Sequence, residues 1–348
     1  EVELPNIRAA LRWCLDSADP GHHTTALRLA GALTLFWYGA GHFVDAVRWL
    51  KEALARLPDA PAADRAKALV ALGIMTHGQG DLLHAPPFFE ESLALYRQLE
   101  DYDGIALCLY GLGRLALRQH NFARTRQLFN ESLAAADVTG QAYHKPYIMN
   151  MLAALAIAEG NFAEAHTRYA EALAAARQLR NLGLIAFILT GYGELVRLQG
   201  DYDLAAQLYR EAMTLAEELH QKPRRVMLLH NLAYVVLYNG APRQARQLFQ
   251  QCLALGMELP DRENFGMCLL GLGGVATVEG DLERAVRLFG AGEQVLATIG
   301  AALAPADQAE YDRYRTRASA ALDPVQYAYL FSVGQRLSTE AMEALVIE

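Results

Sequence analysis

Hydrophobic and polar positions recur along the chain with the spacing of amphipathic α-helices, and the same helix returns at a fixed distance. Each return begins at an anchor residue, usually glycine, followed by an apolar-periodic segment such as GNFAEAHTRYAEAL from Gly160. One step between anchors is 39 residues long and the other five are 40. A period of about 20–50 residues is the mark of a repeat architecture, so the pattern predicts a series of helical hairpins. The anchors are Gly41, Gly80, His120, Gly160, Gly200, Gly240 and Gly280.

Small residues occupy two further fixed positions. Gly73, Gly113 and Gly193 each lie seven residues before an anchor, and alanine lies five residues after every anchor except where Thr125 replaces it. Glycine inside a helix costs about 1 kcal/mol relative to alanine, so its repetition indicates a packing reason. We expect the two helices of each hairpin to approach closely there, with a neighbouring side chain filling the space.

The repeat predicts an all-α, right-handed superhelical solenoid of about seven hairpins with capping helices at both ends. No Pro/Gly/Ser-rich linker interrupts the sequence, so residues 1–348 are predicted to form a single domain: an N-terminal cap over 1–23, repeats over 24–299 and a C-terminal cap over 300–348. Within the caps and the first repeat, helices are expected over 6–17, 24–38 and 305–322, with two more from Pro324 and Ser338. Pro86 and Pro87 predict that the second helix of the second copy starts late.

These positions resemble the tetratricopeptide repeat (TPR) over residues 27–299. The family pattern has Leu-Gly on the first helix (helix A), a Gly-Asn/Asp-Tyr/Phe turn, then Ala and an aromatic residue on the second (helix B). The present copies are longer than the usual repeat of about 34 residues.

Composition narrows the function. A net charge of −8 argues against direct binding of nucleic acid, which favours basic surfaces. The four cysteines stand far apart without zinc spacing, which indicates reduced thiols in a cytoplasmic protein. No apolar run is long enough to cross a membrane, and no phosphate loop or catalytic motif is found. We therefore expect no enzymatic activity, no cofactor and no metal.

A candidate ligand face follows from the helix A positions that point neither at helix B nor at the next repeat. In copies three to six this stripe carries aromatic and arginine residues, which are frequent at binding hot spots. The alternative is that the aromatics pack between repeats while the arginines extend over them. The candidate residues are Tyr110, Arg114, Arg118, Tyr147, Asn150, Phe187, Thr190, Glu194, Arg197, His230, Tyr234 and Tyr238.

The opening segment NIRAALRWCLDS resembles the junction before the TPR array in regulators of the STAND class (signal transduction ATPases with numerous domains), as in maltose-activator-like and LuxR-type bacterial regulators. Asn6, Arg8, Leu11 and Trp13 are among the matching residues. The resemblance implies a sensor and autoinhibitory domain that binds an inducer in its concave groove. Its partners would be that inducer (a small molecule, peptide or protein) and the regulator's own nucleotide-binding module, which would then exchange nucleotide and oligomerise. The alternative is a stand-alone TPR scaffold for peptides or partner proteins.

Overall fold

The computed structural model describes residues 3–139, 144–257 and 263–347. Over these ranges the chain is all α-helix joined by turns, without a β-strand, so the predicted fold class is confirmed. The ends of the predicted domain, residues 1 and 348, lie outside the described part. The helices are α1 Leu4–Asp16, α2 Pro20–Ala32, α3 Thr34–Ala40, α4 Phe43–Arg56, α5 Ala62–Gly78, α6 Ala85–Gln98, α7 Tyr102–Arg118, α8 Phe122–Thr139, α9 Lys145–Ala158, α10 Phe162–Gln178, α11 Leu182–Leu198, α12 Tyr202–Glu218, α13 Lys222–Tyr238, α14 Pro242–Gly256, α15 Glu263–Glu279, α16 Leu282–Ile299, α17 Pro305–Ala320, α18 Pro324–Gln335 and α19 Thr339–Ile347.

The chain divides into two compact units, residues 1–181 and residues 182–348. Unit 1 contains α1 to α10 and unit 2 contains α11 to α19. In unit 1 the repeat hairpins are α5 with α6, α7 with α8, and α9 with α10; in unit 2 they are α11 with α12, α13 with α14, and α15 with α16. Each pair packs along its length, which is the hairpin packing typical of a TPR solenoid.

The anchor residues form the turn inside each of these hairpins, and Gly41 forms the turn between α3 and α4. The anchor glycines have left-handed backbone, with φ between 73° and 87°, which glycine adopts without a side-chain clash. His120 takes the same role with φ 55°. After the turn, Asp201, Asp281 and Asn161 each accept a hydrogen bond from a backbone N–H of the following helix. This N-cap fixes the start of helix B.

The small residues before the anchors pack against aromatic rings of helix B, as the sequence predicts. A Cβ atom on Gly193 would lie 2.3 Å from the ring of Tyr209, and one on Gly113 would lie 2.5 Å from the ring of Phe129. No side chain fits between helix and ring at these distances. The repeated glycine therefore sets how closely the two helices approach.

The observed helix limits follow the prediction except near the N-terminus. Helix α6 begins at Ala85, three residues later in its repeat than α12 in its own, so the late start at the proline pair is confirmed. The three C-terminal helices are also confirmed. The single helix predicted over 24–38 is wrong: α2 begins at Pro20 and ends at Ala32, because Asp19 caps it and the backbone leaves the helical conformation at Leu33.

Candidate ligand-binding site on the A helices

The candidate residues divide between the two units, because α7 and α9 lie in unit 1 while α11 and α13 lie in unit 2. All of them lie on helix A of their repeats.

In unit 1 a pocket of about 60 Å³ opens between α5 and α7. This volume holds a few water molecules or the end of one side chain. Tyr110 and Arg114 contribute to its wall, and Arg114 lies over the Tyr110 ring at 5.8 Å from the ring centre. The lining residues are Ile74, His77, Phe89, Leu107, Tyr110, Gly111 and Arg114.

Arg114 gives the pocket a positive charge, and none of the lining residues carries a carboxyl group. Burial opposes the charge of Arg114, but the facing hydroxyls of Tyr38 and Tyr110 raise its pKa, so the guanidinium remains charged. Among the described residues no carboxylate lies within salt-bridge distance of Arg114. Burial, together with the charges of Arg114 and Arg118, lowers the pKa of His77 to about 3, so this imidazole is neutral at physiological pH. The wall thus offers a fixed positive charge beside a neutral, polar ring.

The other predicted residues of unit 1 lie nearby with different exposure. Tyr147 packs edge-on against Tyr110 at 6.5 Å between ring centres, and Arg118 is exposed at the end of α7. Asn150 is buried on α9, and its side-chain oxygen has no hydrogen-bond partner in the described part of the chain. Tyr110, Arg114 and Tyr147 therefore form one continuous surface.

In unit 2 the corresponding face is covered by α17. Arg197 on α11 and His230 on α13 are each 1% exposed, and both meet the carboxylate of Asp307 on α17, which is 6% exposed. The distance from Asp307 Oδ1 is 2.5 Å to Arg197 Nη2 and 3.3 Å to His230 Nε2. Burial alone would raise the pKa of Asp307, but Arg197 and His230 outweigh it and hold that pKa well below its usual range. Arg197 also lies over the ring of the buried Tyr234, 5.3 Å from its centre.

Glu194 adds a second acid to this cluster. Burial and then the charge of Asp307 raise its pKa to about 7, while Arg197 and Arg224 oppose the shift. Asn231 Nδ2 donates to Glu194 at 3.4 Å, at the long end of hydrogen-bonding distance. The half-buried Glu194 therefore lies near the buried carboxylate of Asp307, and its ionisation is disfavoured there.

A second contact lies one helical turn along α17. Tyr202 donates its hydroxyl proton to Glu310 at 2.8 Å and accepts from Arg313 at 2.7 Å. Tyr238, 51% exposed, stacks on Tyr202 with 3.6 Å between ring centres, and Arg313 lies over it. The predicted residue Tyr238 thus belongs to the surface on which α17 packs, which we call the seat of α17.

The two remaining predicted residues have local partners. Thr190 is buried, and its hydroxyl donates to the carbonyl of Ala186 one turn back, which is a structural role. Phe187 is half-buried with the guanidinium of Arg224 over its ring at 5.0 Å.

The sequence reasoning missed the acidic side of the unit 2 cluster. Asp307, Glu310, Tyr311 and Tyr314 are spaced 3, 1 and 3 residues apart, and all four are buried along one stripe of α17. That helical stripe was visible in the sequence, but Asp307 and Glu310 are charged residues of a kind that usually faces solvent, so hydrophobic periodicity does not reveal their burial.

The described residues hold no group of three or more histidine, cysteine, aspartate or glutamate side chains arranged for a metal ion. In that same part of the chain no helix has the length and apolar character needed to cross a bilayer. The chemistry offered by the A helices is therefore charge, hydrogen bonding and aromatic contact.

Comparison with known proteins identifies the repeats. Residues 64–137 and 146–218 match the family model of the tetratricopeptide repeat. A search of curated protein sequences finds no match.

Three solved structures are similar in fold. A Rap protein complexed with Competence and Sporulation Factor is 14% identical with a TM-score of 0.65, covering 86% of this chain and 80% of the other. The apo form of RapI is 12% identical with a TM-score of 0.60, covering 79% and 98%. A STAND protein with a tetratricopeptide repeat sensor from Pyrococcus horikoshii is 15% identical with a TM-score of 0.56, covering 93% of this chain and 50% of the other. At these identities the likeness shows the fold.

Proposed function

Because the chain carries a tetratricopeptide repeat domain, we propose that it binds a peptide or protein on the A helices of unit 1 and has no catalytic role. The observation that carries the proposal is Arg114, a charged side chain in a pocket wall without a facing carboxylate among the described residues. Arg114 is half-buried, and a partly desolvated charge without a facing anion favours an anionic ligand. The adjoining rings of Tyr110 and Tyr147 supply apolar contact.

The wider role we propose is that of a ligand-sensing, autoinhibitory domain of a STAND regulator, in which the bound ligand triggers nucleotide exchange and oligomerisation of an ATPase module. Two observations support it: the N-terminal segment resembles the junction in such regulators, and the fold is similar to a STAND protein with a repeat sensor. The second candidate is a scaffold without a switch, and the fold similarity to a Rap protein complexed with a factor supports binding of that kind. A phosphate loop encoded upstream of residue 1 in the gene would favour the sensor, and an initiator methionine close to residue 1 would favour the scaffold.

The binding site can be tested by selecting ligands from a random peptide library displayed on phage. We expect the wild-type chain to enrich a peptide family, and the double variant Arg114→Ala with Arg118→Ala to lose that enrichment. The matched control is Arg124→Ala, because Arg124 is exposed on α8 and does not line the pocket. Circular dichroism should show unchanged helix content in both variants.

The possible failures are separable. If the double variant enriches the same peptides as the wild type, the A-helix face of unit 1 is the wrong site. If the wild type enriches no peptide family, peptide binding itself is refuted.

A further inference from the structure

The unit 1 pocket and the Asp307 seat in unit 2 are the same place in the repeat. Adding 120 residues, three repeat lengths, to each lining position of the unit 1 pocket gives residues of unit 2. Five of these seven interact with Asp307, and a sixth, Asn231, contacts the Arg197 that binds it. The corresponding pairs are Ile74 with Glu194, His77 with Arg197, Phe89 with Tyr209, Leu107 with Met227, Tyr110 with His230, Gly111 with Asn231, and Arg114 with Tyr234.

Unit 2 shows what this place in the repeat accepts. Arg197, at the position of His77, and His230, at the position of Tyr110, hold the Asp307 carboxylate, while Asn231 Oδ1 is 3.5 Å from Arg197 Nη2. Burial first and then the charge of Asp307 raise the pKa values of both Glu194 and Tyr234. The occupant is therefore an acidic side chain presented by a helix.

The residues at the equivalent positions of unit 1 keep a positive charge but include no acid equivalent to Glu194. The cation moves from the position of Arg197 to Arg114, four residues C-terminal to Tyr110 on the same helix. Ile74 replaces Glu194, so the unit 1 pocket carries no carboxyl group of its own. Gly111 stands at the position of Asn231, and because it has no side chain, the ring of Phe89 forms the bottom of the pocket there.

A second charge lies where α17 places its second acid. Adding 120 residues to Arg118 gives Tyr238, which stacks on the Tyr202 ring that holds Glu310. Arg114 and Arg118 are four residues apart on α7, hence one helical turn apart on one face. Asp307 and Glu310 are likewise one turn apart on α17.

We propose that the ligand of the unit 1 pocket is a partner helix with two acidic side chains one turn apart. Its first carboxylate enters the pocket to meet Arg114, its second meets Arg118, and an adjacent aromatic side chain packs on Tyr110 and Tyr147. This assignment rests on the proposed function and names its ligand class. Helix α17 is the internal example of that ligand.

The experiment uses a labelled peptide with the α17 sequence PADQAEYDRYRTRASA, acetylated and amidated so that its only carboxylates are side chains. Fluorescence anisotropy with the full chain should show binding. The variant Arg114→Gln should weaken it about ten- to hundredfold, since a charge-assisted hydrogen bond is lost. The control Arg124→Gln should leave the affinity unchanged, and the peptide carrying Asp307→Asn should bind the wild type as weakly as the parent peptide binds Arg114→Gln.

A second readout locates the carboxylate. Its negative charge beside His77 should raise the pKa of that imidazole from about 3, which proton NMR of the ring follows, with His77→Gln assigning the signal. A peptide with Asn and Gln for its acids but a free C-terminal carboxylate should neither bind nor move the His77 pKa.

Three results would overturn the proposal. The first is that the α17 peptide does not bind the wild-type chain. The second is that it binds Arg114→Gln as tightly as the wild type, which means that it exchanges with the resident α17 or uses another site. The third is that the peptide whose only carboxylate is its C-terminus binds. Library selection can still yield a different ligand in each case, so the proposed function would survive them.

Discussion

Glu194→Gln should stabilise unit 2 at high pH and leave it unchanged at low pH. The pKa of Glu194 rises from an ordinary 4.5 to about 7 in the folded chain, because of burial and the nearby Asp307. At about 1.4 kcal/mol per pKa unit, this shift corresponds to about 3.5 kcal/mol. Since the folded state holds this proton more tightly, the contribution of Glu194 to stability is greatest below pH 4.5. That contribution falls as pH rises towards 7 and then levels off.

Glutamine does not titrate, and its amide oxygen can still accept the hydrogen bond from Asn231. We expect the two proteins to be equally stable near pH 4.5, and the variant to be more stable by about 3.5 kcal/mol at pH 8. The control is Glu218→Gln on the exposed end of α12, which should add a small difference independent of pH.

The assay is native-state hydrogen exchange by mass spectrometry on peptides of α11 and α13 between pH 4.5 and 8.5, corrected for the intrinsic exchange rate. Tryptophan fluorescence is unsuitable, because Trp13, Trp37 and Trp49 all lie in unit 1. A stability difference that does not change with pH, or a variant less stable than the wild type at pH 8, would refute the reasoning.

Three further substitutions test the packing and the turns. His120→Gly should raise the free energy of unfolding in urea by about 0.5–1 kcal/mol, because His120 has left-handed backbone that glycine adopts without strain. Gly193→Ala should lower it by about 1–3 kcal/mol, since the new methyl group meets a ring of helix B, whereas Gly39→Ala, with no atom within 4 Å, should not lower it. Asp307→Asn should cost about 3–5 kcal/mol by leaving Arg197 buried without its anion, and should speed amide exchange in α17; unchanged exchange there would show that α17 does not depend on this ion pair.

The repeat itself could be predicted because its requirements are local. A left-handed turn needs glycine, and a ring on helix B needs a neighbour without a side chain, so both leave a fixed signal every 40 residues. The break between α2 and α3 left no such signal, because no glycine or proline stands at Leu33. Hydrophobic periodicity alone continues through it.

The sequence predicts which surface of the A helices forms the candidate site, but it does not predict what covers that surface. The stripe on helix A places Arg114 in the unit 1 pocket and Arg197 in the unit 2 cluster by helical geometry. The position of α17 decides whether Arg114 or Arg197 is left open to a ligand. The contact between α17 and Arg197 joins residues 110 positions apart and follows no repeat. A single sequence carries the periodic information, whereas the pairing of Asp307 with Arg197 requires the tertiary structure. The ligand role of the face stays a prediction.

The docking of α17 changes how unit 2 must fold. In a simple repeat array each hairpin contacts only its neighbours, so folding can begin anywhere and spread along the chain. In unit 2 the buried guanidinium of Arg197 has its anion 110 residues further along the sequence, and the conformational entropy of closing that loop is lost before the contact forms. During synthesis, α11 to α16 therefore leave the ribosome before α17, and Arg197 stays without the Asp307 carboxylate until α17 docks. We therefore expect unit 2 to fold more cooperatively and more slowly than a nearest-neighbour array.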